Sequence, residues 1–437
     1  MIENSRVKFF YPRLLRLRQL IQTDFVQKVM AALASRGIVL ILGFITSIFT
    51  ARLLGPEGRG LFGIATAITA LGVQLGLLGF HSANTFHVSK NPSLLPTMIT
   101  NSFVISMAMG VLLMGLIFCL RHYILGKDSL SFFLLCLCLV NIPLNICFLL
   151  FQGLLTGLQK FKNYNRSEVL NKLINTLLIL GCIFTGNLSP ITATVFQGAA
   201  FMVSIIYMLK AFFKSPKGLT KPSLSLLKEN FFYGGKAYLA CFFAWGIMRL
   251  DIFMLQRFQN LEAVGYFSLA LTLIDILLMF SSVVAAILHP KLCIESDLKK
   301  KWIMTKKTTL GSSVVILLAA CIVIVWKAPI QWMFGPEFIP CHRTLLYLLP
   351  GFFFLSIQTI LVQYIISIKF PWSLVIIWGV ALGFKFLFSL VLVPDMGIKG
   401  IGISWAIIYF FVLISVFINI HSNNFKSWIW RSQKSNF

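Results

Sequence analysis

The chain has few charged residues and very few acidic ones. Of its 437 residues, 12% are Asp, Glu, Lys or Arg, and only 13 are acidic. Soluble domains carry roughly 25% charged residues, so this composition excludes an ordinary soluble protein. Hydrophobic residues make up 58% of the chain, and the mean hydropathy is +0.87. These values predict an all-α polytopic membrane protein.

Motifs for enzymatic chemistry are also missing from the sequence. It contains no H-E-x-x-H, no G-x-S-x-G and no Walker loop, so we expect no enzyme and no ATP-driven step within this chain. The nine cysteines are scattered through apolar runs without a C-x-x-C pair, which predicts neither a disulfide framework nor a zinc site. No cofactor is therefore expected, and the use of a proton or sodium gradient stays open.

Long apolar runs are what the sequence has in abundance. A helix of about 20 apolar residues crosses a bilayer, and short polar links separate the runs. We predict twelve spans at about 32–54, 61–83, 98–121, 130–151, 168–186, 191–212, 231–257, 264–288, 304–327, 341–366, 373–393 and 400–420. The first two are joined by Gly55-Pro56-Glu57-Gly58-Arg59-Gly60, which is too short for anything but a helical hairpin turn.

The two halves of the chain resemble each other. The string GLFGIA at 60–65 parallels GYFSLA at 265–270, and six helices per half place both repeats in the same orientation. We therefore predict two six-helix lobes. The predicted segments are a basic amphipathic stretch at 1–30, an N-lobe at 31–212, a linker at 213–230, a C-lobe at 231–421 and a basic tail at 422–437.

Lys and Arg are unevenly divided between the two ends of the predicted spans. One face carries roughly three times as many as the other, which predicts that both termini are cytoplasmic. This assignment puts Lys172 among the inner charges and Arg59 among the outer ones. The net charge of +25 is explained by this bias and by the anionic inner leaflet, so nucleic acid is not an expected partner.

Five strings carry a family resemblance that covers nearly the whole chain. They are ARLLGPEGRGLFG at 51–63, QGLLTGLQKF at 152–161, RLDIF at 249–253, VGYFSLA at 264–270 and FGPEF at 334–338. In kind and order they resemble the Wzx-type polysaccharide-export branch of the MOP exporter superfamily. The resemblance implies a flippase for a polyprenyl-pyrophosphate-linked oligosaccharide, acting by alternating access in a MATE-like fold.

The same resemblance implies a role in lipopolysaccharide, O-antigen or exopolysaccharide assembly in a bacterial inner membrane. Expected partners are the lipid-linked oligosaccharide, membrane lipid and other polysaccharide-assembly membrane proteins. A multidrug or cation antiporter on the same fold is the alternative. Such an antiporter favours an acidic cavity, whereas this chain has more cations than acids within its spans.

Ionisable residues at membrane depth are the candidate site residues, because each one costs several kcal/mol in lipid. At 1.5 Å per residue, Asp275 and Lys385 both lie near the midplane. They are predicted either to form a structural ion pair or to contact phosphate (Lys385) and couple an ion (Asp275). Arg249 and Asp251 are two residues apart and point to different faces of one helix. We expect Asp251, also a candidate for ion coupling, to be the better candidate for the central cleft.

Three further cations are candidates for the substrate pathway. Arg36 and Lys236 lie near the inner ends of helices one and seven, where they would attract a pyrophosphate. Topological charge explains them equally well. Arg52, near the outer end of helix one, is expected to receive the same anion on release.

Overall fold

The computed structural model describes residues 24–125, 130–212, 220–368 and 370–422, and this part of the chain is helical. Two single 3₁₀ turns, Pro92–Leu94 and Pro336–Phe338, interrupt the helices. In chain order the helices are α1 Asp24–Leu77, α2 Phe80–Lys90, α3 Leu95–Leu125, α4 Phe132–Gly157, α5 Phe161–Thr185, α6 Pro190–Phe212, α7 Leu224–Phe258, α8 Leu261–Ile294, α9 Leu298–Val325, α10 Lys327–Phe334, α11 Ile339–Ile366 and α12 Trp372–His421.

Helix α1 folds back on itself at Gly55. Gly55 has φ +65°, a conformation that glycine adopts far more readily than other residues, and Pro56 follows it. Beyond this turn, Arg59 Nη1 donates to Thr50 Oγ1 at 2.6 Å. A straight helix would keep these two residues about 13 Å apart along its axis. The polar link therefore forms a helical hairpin, with a turn tighter than the six-residue link seen in the sequence.

Helix α12 folds back in the same way at Gly397, which has φ +54°. Lys385 Nζ donates to Ser404 Oγ across this turn, although 19 residues separate them. The described residues contain 11 helices that are long and apolar enough to cross a membrane, of which the first, Ala34–Leu77, has 44 residues. At 1.5 Å per residue this span is about 66 Å long, twice the hydrocarbon thickness, so it crosses as two helices.

The helices before and after residues 213–219 pack mainly among themselves. We call them the N-terminal group, α1 to α6, and the C-terminal group, α7 to α12. In the N-terminal group, α1 packs on α4, α5 and α6; in the C-terminal group, α12 packs on α7 and α11. The residue boundaries of the two lobes remain a prediction, and the stretches 1–23 and 423–437 lie outside the described residues.

The two groups meet closely where the repeated glycine strings lie. A Cβ on Gly60 would lie 2.2 Å from the carbonyl oxygen of Leu261, and one on Gly265 would lie 2.0 Å from that of Pro56. Only glycine allows two helices to approach this closely. The contact lies one turn beyond Gly55, so the groups are joined at this end of the molecule, which we call the Gly55 side.

A second contact between the groups lies nearer the opposite side. Tyr238 Oη of α7 donates to the carbonyl oxygen of Gln74 in α1. Asn230 Nδ2 of α7 donates to Asn84 Oδ1 of α2 at 3.4 Å. These bonds attach the first half of α7 to the N-terminal group, whereas its second half packs on α12, for example through Gly246 and Leu382.

Candidate functional site

A polar cavity of about 190 Å³ lies between the two groups, next to the glycine contact. Helices α1, α5 and α6 form one part of its wall, and α7 and α8 form the other. Three cations and no acid are among its lining residues, counted over the described part of the chain. The lining residues are Gly43, Thr46, Ser47, Arg59, Phe62, Gly63, Thr66, Lys172, Asn175, Gln197, Arg249, Ile252, Ser268 and Thr272.

Arg59 is the most buried of the three cations, at 7% exposure. The Gly55 turn aims its side chain back along the first half of α1, where it reaches Thr50 at 2.6 Å and Ser47 at 3.4 Å. It also donates to Thr272 Oγ1 of α8 at 3.3 Å, so it bridges the two groups. Its partners are hydroxyls, and its Nε has no hydrogen-bond partner among the described residues. The positive charge is therefore not neutralised by an ion pair in this part of the structure.

Lys172 lies 11 residues after the first residue of α5, about 16 Å into the helix, and its side chain is exposed within the cavity. No described acid is within salt-bridge distance of it. Glu168, one turn earlier on α5, interacts with it electrostatically. Lys172 thus adds a second cation from the N-terminal group, at a depth where a charge in lipid would be costly.

Arg249 supplies the third cation, and it is paired. Its Nη2 lies 2.8 Å from Asp275 Oδ2 of α8, with the two side chains 29% and 41% exposed. The pair is thus partly exposed and not part of a sealed core, and Arg249 lines the cavity. As predicted, Arg249 and Asp251 point to different faces of α7, but Arg249 is the one that lines the cavity. The expectation that Asp251 is the better candidate for the cleft is not supported.

Asp251 and Lys385 form a different, fully buried pair inside the C-terminal group. Lys385 Nζ lies 2.7 Å from Asp251 Oδ1, and both side chains are 0% exposed. Trp405 Nε1 donates to Asp251 Oδ2 at 2.7 Å, and Ser389 Oγ donates to Asp251 Oδ1 at 3.3 Å. The bond from Lys385 to Ser404 completes this network, which ties α7 to both halves of α12.

This network corrects the predicted pairing of Asp275 with Lys385. Each of the two has another partner, because the fold at Gly397 brings Lys385 to α7 and not to α8. Neither Asp251 nor Lys385 is among the described residues that line the cavity. The Asp251–Lys385 pair is fully buried and both charged groups are hydrogen-bonded, which indicates a structural role. The prediction that Lys385 contacts phosphate therefore loses support.

The remaining predicted residues lie apart from the cavity. Arg52 Nε donates to the carbonyl oxygen of Met333 at 2.8 Å, and its Nη2 donates to that of Trp332; both carbonyls belong to α10. Arg36 is exposed near the start of α1 and interacts electrostatically with Glu168. Lys236 is in α7, and its side chain lies outside the described residues.

Sequence reasoning missed Arg59 and Lys172, for two different reasons. Arg59 is in the polar link, where a cation is expected to reflect only the orientation of the chain in the membrane. Because the turn at Gly55 is short, Arg59 lies within a helix instead. Lys172 was assigned to the inner face because α5 was predicted to begin near residue 168, whereas it begins at Phe161. A polar stripe of Glu168, Lys172 and Asn175 at helical spacing was the signal that would have revealed a wet face.

Comparisons with known proteins agree with this architecture. The chain matches the family described as polysaccharide biosynthesis protein over residues 25–292, which is more than half of its length. No curated protein sequence matches it.

Several solved structures are similar to the chain in fold. A lipid II flippase, MurJ, in an inward closed conformation has a TM-score of 0.72 at 12% identity, covering 90% of this chain and 88% of that one. An inward-facing MATE-family multidrug resistance transporter of the MOP superfamily has a TM-score of 0.67 at 15% identity, covering 93% and 100%. The eukaryotic MATE transporter AtDTX14 has a TM-score of 0.62 at 14% identity, covering 94% and 100%.

The family match agrees with the resemblance to the polysaccharide-export family, and the similar structures confirm the all-α polytopic fold. At such low sequence identity the similar structures show only a shared fold, whereas the family match shows that the sequences are related. This chain belongs to the polysaccharide biosynthesis protein family, as a multi-pass membrane protein with the fold of the MOP superfamily transporters.

Proposed function

We propose that the protein is a flippase that moves a polyprenyl-pyrophosphate-linked oligosaccharide from the cytoplasmic to the outer leaflet. The observation that carries this proposal is the charge of the central cavity. Arg59, Lys172 and Arg249 line it, and the only described acid paired with any of them is Asp275. A pyrophosphate is the anionic part of such a substrate, and guanidinium groups bind phosphate oxygens bidentately.

The proposed mechanism is alternating access between the two groups of helices. With Gly60 and Gly265 in contact, the cavity is closed towards the Gly55 side, and the pyrophosphate enters from the other side. The sugars occupy the polar cavity while the polyprenyl tail stays in lipid. Separation of α1 from α8 at the glycine contact then opens the cavity to the Gly55 side. Arg59 bonds to both groups across this contact, so its bond to Thr272 breaks on opening while its bond to Thr50 stays within α1.

Asp275 is the proposed coupling residue. Its side chain is 41% exposed and its partner Arg249 lines the cavity, so protons reach it more readily than they reach Asp251. Protonation of Asp275 releases Arg249 to bind the anionic substrate. In this coupling step, Arg249 exchanges its bond to Asp275 for a bond to the anionic substrate.

The alternative is a multidrug or cation antiporter; one of the similar structures is named as a multidrug resistance transporter of the MATE family. A site for organic cations is built from acids and aromatic faces. Here the described lining residues include one aromatic ring, Phe62, and no acid. The cavity charge therefore favours the anionic lipid.

The proposed location is the bacterial inner membrane, with both termini in the cytoplasm and the Gly55 side facing outwards. The excess of Lys and Arg on the other side supports this orientation. Membrane lipid and further proteins of polysaccharide assembly, including those for O-antigen, are the proposed partners.

Deletion of the gene followed by lipid analysis tests the function. We expect a lipid-linked oligosaccharide to accumulate on the cytoplasmic leaflet and surface glycan to fall. Expression of the wild type or of Lys299→Gln, which removes an exposed cation at the start of α9, should restore the glycan. The double variant Arg59→Gln, Lys172→Gln should not restore it at equal protein level. Unchanged lipids together with lower drug resistance would instead favour the antiporter.

A further inference from the structure

Two buried polar atoms on the wall of the cavity have no hydrogen-bond partner in the described part of the chain. One is the donor Arg59 Nε, and the other is the acceptor Asn175 Oδ1. A buried polar atom without a partner is unfavourable, and in a cavity wall it is available to hydrogen-bond a molecule that enters. The two atoms need opposite partners: Arg59 needs an acceptor and Asn175 needs a donor.

A pyrophosphate by itself meets only one of these needs. In a pyrophosphate diester at neutral pH the oxygens carry no proton, so they accept hydrogen bonds and donate none. A sugar hydroxyl both donates and accepts. A ligand that joins an anion to a hydroxylated group would therefore satisfy Arg59 and Asn175 together.

The arrangement on α5 places these two chemistries side by side. Asn175 follows Lys172 by three residues, so a cation and an amide reach the cavity from adjacent turns of one helix face. Gln197 of α6 adds a second amide to the same wall. The cavity volume of about 190 Å³ is below the roughly 300–1,000 Å³ of typical ligand pockets, so this closed form holds only a small part of an oligosaccharide.

We propose that Asn175, together with Gln197, forms a subsite for the sugar that is attached directly to the pyrophosphate. This inference rests on the proposed function and adds to it a residue that determines specificity. The cations hold the pyrophosphate, and Asn175 Oδ1 accepts a hydrogen bond from a hydroxyl of the first sugar. The subsite distinguishes a glycosylated lipid pyrophosphate from a bare one, and one first sugar from another.

Binding of short synthetic lipids to the full-length protein in nanodiscs tests the subsite. The probes are the methyl ester of farnesyl pyrophosphate and its glucosyl, galactosyl and N-acetylglucosaminyl esters, which all carry the same charge. We expect the wild type to bind at least one glycosyl ester about tenfold more tightly than the methyl ester, as one or two buried hydrogen bonds imply. Asn175→Leu should remove this preference, so that no glycosyl ester binds more tightly than the methyl ester.

Two further variants separate a sugar contact from a structural effect. Asn171→Leu removes a buried amide four residues earlier on α5, from a residue that is not among the described lining residues, and should keep the preference. Asn175→Asp keeps an acceptor oxygen, so it should retain the preference while weakening binding of every probe through charge repulsion.

The outcomes that overturn the inference differ from those that overturn the function. If the wild type binds no pyrophosphate probe, the proposed function fails. If it binds the methyl ester as tightly as every glycosyl ester, or if Asn175→Leu keeps the preference, the sugar subsite is refuted and the anion site remains.

Discussion

Arg249 of α7, which lines the cavity between the two groups of helices, donates to Asp275 of α8 at 2.8 Å. Two residues further along α7, Asp251 bonds to Lys385 in a sealed core. One helix thus carries a partly exposed ion pair on one face and a fully buried ion pair on another. Because the two pairs differ in exposure, we expect loss of the first to leave stability nearly unchanged and loss of one partner of the second to lower it.

Neutralising Asp275 should alter transport without unfolding the protein. Exposed ion pairs contribute about 0–1 kcal/mol, so we expect Asp275→Asn to keep the melting temperature in detergent nearly unchanged. Flipping of a fluorescent lipid pyrophosphate in proteoliposomes should lose its dependence on an imposed pH gradient. A variant that responds to the gradient as the wild type does would rule out Asp275 as the coupling group.

Neutralising Asp251 alone should instead destabilise the fold. Asp251→Asn leaves Lys385 buried without its counter-charge, which costs about 3–5 kcal/mol. The double variant Asp251→Leu, Lys385→Met removes both charges and should recover most of that stability. Thermal unfolding in detergent measures both effects. If the single variant melts like the wild type, the network is not the structural lock that its burial indicates.

A methyl group at the glycine contact should weaken closure at the Gly55 side. The Cβ of Gly265→Ala would lie 2.0 Å from the carbonyl oxygen of Pro56, so α1 and α8 must separate. We expect a cysteine introduced by Thr66→Cys in the cavity, with the native cysteines replaced by alanine, to react severalfold faster with a membrane-impermeant maleimide added from outside. Gly181→Ala, where a Cβ has no neighbour within 4 Å, is the control and should leave the rate unchanged.

Arg52 should also help to keep the Gly55 side closed, through its contact with α10. Its guanidinium bonds to the carbonyls of Trp332 and Met333 near the end of α10, where helix carbonyls lack intrahelical partners and the dipole is negative. We expect Arg52→Ala to raise the same labelling rate. Arg52→Lys should restore closure only in part, because an ammonium lacks the planar fork that spans two carbonyls.

The control for Arg52 is Arg121→Ala, which removes a cation that contacts Phe118 of its own helix. It should leave the labelling rate at the wild-type value. Equal rates for Arg52→Ala and Arg121→Ala would mean that the bond to α10 does not hold the two groups together.

The class of the protein, its helices and its hairpins were predictable because they depend on local properties. Apolar length determines which segments cross a membrane, and a Gly-Pro pair ends a helix wherever it occurs. The same reasoning placed Arg249 and Asp251 on different faces of α7, since helical spacing requires it. The repeated glycine strings marked the two segments that meet between the groups, although their contact was not predicted.

By itself, then, the sequence determined the fold class, the long apolar helices and the excess of cations, which follow from composition and spacing along the chain. Only the tertiary structure decided which charge lies next to which. Depth along a helix places Asp275 and Lys385 at similar levels. The direction of each side chain around its helix, together with the fold at Gly397, instead pairs Lys385 with Asp251 and Asp275 with Arg249. The same geometry brings Arg59 and Lys172 into one cavity, because contacts between distant segments depend on how whole helices pack.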